Sequence, residues 1–243
     1  MLPRLRPALA ALLLPAALFG SDATAPRQTV TLFNGRDLAG WTAYRRPADA
    51  SAPPTWSVAD GVIQCTGAPA GYIRTDGRYR DYRLTVEWRW VPGEMPLNAQ
   101  GRPRGRNSGV LLHMAPPEEI WPKSLEAQLA ADNAGDFWVI GGVDTAQHIA
   151  AREKAVAAAG ADEEALKRAR GNRRFQKSQP SSEKPIGEWN TYEIVCSGDT
   201  VTVTVNGVRQ NQATGVTVRE GHICLQSEGA PIEFRKVKLE PLR

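Results

Sequence analysis

Apolar and polar residues alternate one for one along most of this chain. Leu84, Val86, Trp88 and Trp90 alternate with Arg83, Thr85, Glu87 and Arg89, which predicts a strand over 82–91 with one face turned to a core. The same period runs through 107–113, where Asn107, Gly109, Leu111 and His113 share a face. It runs through 124–130 as well, where Ser124, Glu126, Gln128 and Ala130 lie on one side and Leu125, Ala127 and Leu129 on the other. Shorter runs at 29–33, 56–58, 62–65, 72–75, 189–196, 200–205, 216–218, 222–227 and 232–239 read as further strands. Asp60-Gly61, Asp76-Gly77 and Asn206-Gly207 supply turns, the last a strong type I′ hairpin signal. About eleven or more short strands separated by turns predict an all-β sandwich of two antiparallel sheets.

Residues 144–170 break this pattern. They are rich in alanine, with charges at helical spacing, and predict one or two helices around Gly160 lying outside the sandwich. With the basic residues that follow they make an insertion over 144–175. Residues 45–54, 92–106 and 171–184 read as loops by composition.

The N-terminus differs from the rest. Arg4 and Arg6 precede the apolar run 8–19, and Ala23-Thr24-Ala25 is an A-x-A-like cleavage site, so 1–25 reads as a secretory signal peptide and 26–243 as the mature domain. No other segment is apolar enough for stable membrane insertion. The expected location is the periplasm or the exterior. The chain has 30 basic and 26 acidic side chains, and losing Arg4, Arg6 and Asp22 leaves 28 and 25, a weak positive charge that does not argue for a nucleic-acid partner. Cys65, Cys196 and Cys224 would permit one bridge in an oxidising compartment, but their spacing selects no pair.

Candidate chemistry centres on the strand at 124–130. Glu126 and Gln128 fall about 6.5–7 Å apart on its polar side, close enough to reach one small polar ligand, although an ordinary solvated face gives the same alternation. Asn107 or His113 joins them if the two strands pair. Glu87 and Arg89 share that face if the 82–91 strand is adjacent. Trp121, Trp138 and Tyr72 lie near the strand at 124–130 and are either ligand platforms or core. No phosphate-binding loop, dinucleotide fingerprint or G-x-S-x-G elbow is present.

Seven segments, in order, carry a resemblance: FNGRDLAGW, GRNSGVLLH, WPKSLEAQL, GDFW, EKPIGEWNTYEI, VNGVRQN and GHICLQSEGAPIEFRKVKLEPL. Together they resemble the 3-keto-disaccharide hydrolase domain family over about residues 29–242, interrupted by the alanine-rich segment. The resemblance implies a concanavalin-A-like jelly-roll β-sandwich. It also implies an enzyme that cleaves glycosides already oxidised to a ketone at C3, by hydrolysis or by elimination followed by hydration.

A ketone at C3 acidifies the C2 proton, so the reaction needs a base, a donor to steady the enolate and an acid for the leaving group. The residues available are Glu126 as base, Gln128 and Asn107 as donors, and His113 as acid or electrophile. Gln226 and Glu228 come from the last motif, Glu228 being a second carboxylate or a turn-forming surface acid. Arg74, Glu87 and Arg89 are further substrate contacts, and Trp121 and Trp138 are stacking surfaces. No cofactor is implied, and a divalent cation held by Glu126 and its neighbours stays open, since no ligand spacing demands one. The expected partner is a small carbohydrate, with an exported sugar oxidoreductase as the source of the ketone. The competing reading is a lectin-like module on the same sandwich that binds sugar without turnover. Export should remove the leader after Ala25, and the intact mass of the exported protein checks this; a chain still beginning at Met1 would remove the argument for the compartment.

Overall fold

The computed structural model describes residues 23–95, 97, 101–103 and 105–242. The apolar run of the expected leader lies outside the described residues. Ala23 is buried, and Thr24 pairs with Tyr79, its backbone bonded to Arg78 and Arg80, so a cut after Ala25 would remove this small bridge.

The first strands are β1 (Val30–Thr31), β2 (Trp41–Arg45), β3 (Trp56–Ala59), β4 (Val62–Cys65) and β5 (Gly71–Thr75). The long β6 (Tyr82–Trp90) precedes β7 (Gly109–Ala115), β8 (Lys123–Gln128) and β9 (Phe137–Ile140). Helices α1 (Ala146–Ala159) and α2 (Glu163–Gly171) then interrupt the strand order, as the alanine-rich pattern predicts. The chain closes with β10 (Arg174–Phe175), β11 (Asn190–Ser197), β12 (Thr200–Val205), β13 (Val208–Ala213), β14 (His222–Ser227) and β15 (Ile232–Pro241). Segment 216–218, expected as a strand, is irregular. Strand β10 falls in a stretch that composition reads as a loop, and β2 and β9 fall where the pattern predicts no strand.

One sheet runs β13-β12-β11-β6-β15-β4-β3, with β1 also on β15; the other runs β10-β9-β8-β7-β14-β5-β2. Neighbouring strands pair antiparallel throughout. The alternation of β6 holds: Tyr82, Leu84, Val86, Trp88 and Trp90 enter the core, which Tyr192, Ile194 and Phe234 share from the same sheet. Val110, Leu112, Leu125, Ala127, Phe137, Ile223 and Leu225 face them from the seven-stranded sheet.

The two outer faces differ. On the eight-stranded sheet the outward residues of β6 pair with β15: Glu87 meets Arg235 at 2.5 Å and Lys236 at 2.6 Å, and Arg89 meets Glu233 at 2.6 Å. On the seven-stranded sheet, β7 and β8 are buried on both sides, as strands are when something covers the second face. A second apolar cluster of Tyr72, Leu111, Met114, Ile140 and Cys224 lies there, with Tyr44 and Trp138 against it. The candidate site grows out of this covered face.

Trp88 is fully buried between the sheets. Trp88→Ala should cost about 3–5 kcal/mol, the usual range for deleting a large aromatic from a packed core; the shift in the denaturant midpoint measures it.

Candidate active site

Strand β8 places the first functional group. Leu125 and Ala127 are locked into the core, so Glu126 and Gln128 must project from the outer face. Cross-strand register puts Glu126 beside Trp138 of β9 and Leu111 of β7, and Gln128 beside Gly109. The side chains Asn107, Trp121, Glu126, Gln128, Trp138, Ile140, Arg173 and Glu228 enclose a cavity of about 260 Å³. A shallower hollow of about 490 Å³, lined by Gly67, Ala70, Pro103, Gly105 and Gly229, shares Asn107 and Glu228 with it. Asn107, Gln128, Trp121, Trp138, Glu126 and Glu228 are therefore brought together, as the sequence led us to expect.

Gly109 explains how a glutamate fits against the sheet. A Cβ there would lie 2.5 Å from Glu126 Oε1 and 2.9 Å from its Cδ and Cγ, so the carboxyl occupies the space that any other residue would fill. Glu126 is only 4% exposed, and its Oε1 has no hydrogen-bond partner. Burial pushes its pKa well above the usual carboxylate range, the Glu228 carboxyl pushes it further, and Arg173 opposes both. Glu228 is raised to about 7, first by burial, with a hydrogen bond from Asn107 acting the other way. Burial thus disfavours the ionised form of both carboxyls, and Glu126 is the more enclosed of the two. Gln128 accepts from the backbone N–H groups of Leu129 at 2.9 Å and Ala130 at 3.1 Å, so what it offers the pocket is its amide donor. Asn107 Oδ1 and Trp138 Nε1 are buried without partners. Orphaned polar atoms around one cavity are what a polar ligand would satisfy. Trp121 stands at the rim, 40% exposed.

Six of the expected residues fall elsewhere. His113 is not in the pocket: the register of β7 shifts between Leu112 and Ala115, and His113 adopts φ 57°. That bulge turns its ring inward. There it meets the edge of Tyr82, 5.6 Å between centroids, and its Nδ1 bonds the Val218 carbonyl at 3.1 Å. Burial lowers its pKa to about 4, leaving a neutral core imidazole. Met114 takes the outward place that alternation assigned to His113. Glu87 and Arg89 belong to the opposite sheet and face away from the cavity, because β6 pairs with β11 and β15 and not with β7. Arg74 does lie on the right sheet, but β7 and β14 separate its strand from β8, a distance of about 14 Å, and it is tied to Glu118 at 2.6 Å. Gln226 is fully buried on β14 and does not line the cavity, although both its amide atoms lack partners. Tyr72 is buried beneath Tyr44, their rings 5.1 Å apart.

Ile140 and Arg173 line the cavity without having been anticipated. Ile140 was legible only with β9 recognised as a strand. Arg173 stood among several basic residues in a stretch read as a loop, with nothing in the sequence to single it out. Among the described residues no three His, Cys, Asp or Glu side chains converge as a metal-binding group, and no helix is long and apolar enough to cross a membrane.

Two packed antiparallel sheets, one of them carrying two carboxyls and two tryptophans around a single cavity, define a concanavalin-A-like jelly-roll sandwich. The chain belongs to the 3-keto-alpha-glucoside-1,2-lyase-like domain family, whose profile matches residues 28–240. Solved structures share its fold. A protein of Parabacteroides distasonis named as a glycosyl hydrolase is 19% identical, covering 89% of this chain and 94% of its own, with a TM-score of 0.56. The Bacillus licheniformis β-glucanase is 11% identical over 88% and 97%, TM-score 0.53. A carbohydrate binding module from Bacillus subtilis is 12% identical over 82% and 94%, TM-score 0.52. No curated protein matches significantly.

Gly109→Ala should displace the Glu126 carboxyl rather than the backbone, since the clash is with the far end of a side chain. A misplacement of about 1 Å costs about 10²-fold in turnover; the unfolding midpoint should move little. Parallel activity and thermal-unfolding measurements check both halves.

Proposed function

We propose that this domain cleaves the glycosidic bond of 3-keto-glycosides by elimination, with Glu228 as base and Glu126 as acid. The observation that carries the reading is two carboxyls lining one cavity, Glu126 almost wholly buried and Glu228 less so, each with its ionised form disfavoured by burial. The roles differ from those suggested by strand parity alone, which favoured Glu126 as base: burial favours the protonated form of its carboxyl, which suits the acid.

The C2 proton of the sugar is acidic because the C3 ketone can take the electron pair. Ionised Glu228 removes that proton; the C2–H pair becomes the C2=C3 bond and the carbonyl π pair moves to oxygen. The enolate then reforms the C3 ketone, the pair shifts to C1=C2, and the C1–O bond breaks with its electrons going to the leaving oxygen. Glu126 supplies the proton that oxygen needs. The products are an unsaturated 3-keto sugar and a free alcohol, and addition of water to the double bond would complete a net hydrolysis. The Gln128 amide suits a sugar hydroxyl or the ketone, and the Trp121 and Trp138 rings suit a pyranose face. The cavity matches one sugar ring. Its neighbouring hollow, reached past Asn107 and Glu228, suits the leaving group. An exported sugar oxidoreductase would supply the ketone.

Turnover of a 3-keto-glycoside should rise as pH passes through about 7, where Glu228 loses its proton, and fall again at higher pH as Glu126 loses its own. Glu126→Gln should lower kcat by about 10²–10⁴-fold while affinity changes far less, and Glu228→Gln should act comparably and abolish the rising limb. Rate profiles on matched 3-keto and unoxidised glycosides check this. A parent that binds both panels and cleaves neither would favour the sugar-binding module instead.

A further inference from the structure

The helical segment between β9 and β10 has little to do with the core. Among the described residues of α1 only His148 is buried, and of α2 only Ala169. Polar contacts hold the segment instead. Asp144 N–H donates to Thr217 Oγ1 at 3.0 Å, Ala146 N–H to the Thr214 carbonyl at 2.8 Å, and His148 N–H to the Thr145 hydroxyl at 3.1 Å. The imidazole of His148 spans from Asp144, 2.6 Å from Nδ1, to the carbonyl of Asn172, 2.8 Å from Nε2. Asn172 immediately precedes Arg173.

Arg173 is then fixed from three directions. Its own carbonyl accepts from Val139 N–H at 2.9 Å. The next residue, Arg174, bonds Asp136 at 2.6 Å and Asn133 at 2.8 Å and pairs in register with Trp138. The backbone on either side of Arg173 is therefore anchored, while its side chain lines the cavity with Glu126, Trp121 and Trp138. Among the described residues its guanidinium makes no ion pair. An anchored arginine with an unpaired guanidinium in a pocket is suited to negative charge that is absent at rest and appears during turnover.

We propose that α1 and α2 act as an arm that delivers Arg173 to the cavity, where it stabilises the anionic charge created when Glu126 surrenders its proton and the sugar passes through its enolate. The inference rests on the reading of the pocket given above and adds to it a third group, with His148 as a positioning residue.

Two measurements test it separately. The first needs no substrate: the ionisation of Glu126 followed by carboxyl-carbon NMR, with Glu126→Gln assigning the signal. Arg173→Gln should move that ionisation to higher pH by about one pH unit, and Arg173→Lys should restore most of the parent value. The second is turnover of a methyl 3-keto-glucoside. Arg173→Gln should lower kcat by about 10²–10³-fold with KM little changed, and millimolar guanidinium should recover part of the loss in Arg173→Ala. His148→Gln should lower kcat in the same direction but respond to no added guanidinium. An unmoved Glu126 ionisation in Arg173→Gln overturns the proposal whatever the sugar results. A parent inactive on every 3-keto substrate, with the NMR shift present, overturns the reaction and leaves the arginine's electrostatic role standing.

Discussion

A carboxyl enclosed by protein is tolerable only while it keeps its proton or gains a partner. In this molecule Glu126 is enclosed with its Oε1 lacking any hydrogen-bond partner, and much of the surrounding architecture follows from that condition. Leu125 and Ala127 commit β8 to the core and so force the glutamate outward. The missing side chain at Gly109 gives it a seat. Trp138, Asn107 and Glu228 close the space around it, and the loop behind α2 brings Arg173 alongside. Each element alone is unremarkable for a sandwich; together they keep one acid dry and set a second, less buried acid beside it.

Much of this was readable from period and parity. The alternation of β6 and β8 gave the core residues correctly and put Glu126 and Gln128 on a common face, and the alanine-rich run gave both helices. The failures have local causes. Alternation carries His113 to the wrong side because a bulge adds one residue to β7, and nothing in GVLLHM marks where it falls. Glu87 and Arg89 were misplaced because period describes a strand and not its neighbours: β6 pairs with β11 and β15, from the far end of the chain. Arg173 was out of reach because its place depends on how a 27-residue interruption, 144–170, folds back. β9 was obscured by the glycines on either side of it.

The comparison of the two outer faces shows how little polarity alone decides. Both sheets carry carboxyls and arginines, among them Glu87, Arg89, Glu233 and Arg235 on one and Glu126 and Arg74 on the other. On the eight-stranded sheet the charges pair with one another, and Arg89 and Arg235 lie over Trp189 at 4.6 and 4.1 Å from its ring centroid. Such partly exposed pairs contribute about 0–1 kcal/mol each and leave no charge unanswered. On the seven-stranded sheet the glutamate is covered by rings and loops before it finds a partner. What separates an exposed face from an enclosed one here is the cover, which comes from segments distant in sequence.

The three thiols are free and buried. Cys65 on β4 and Cys196 on β11 are separated by β15 and β6, about 14 Å, well beyond the span of a bridge, while Cys224 faces the outer side of the other sheet. Burial raises Cys65 to about 11 and Cys196 to about 12, so neither presents a thiolate to oxidants at neutral pH. The sandwich therefore owes nothing to the redox state of its surroundings. It should fold alike with glutathione present or absent, and its passage across a membrane would be a matter of address rather than of chemistry.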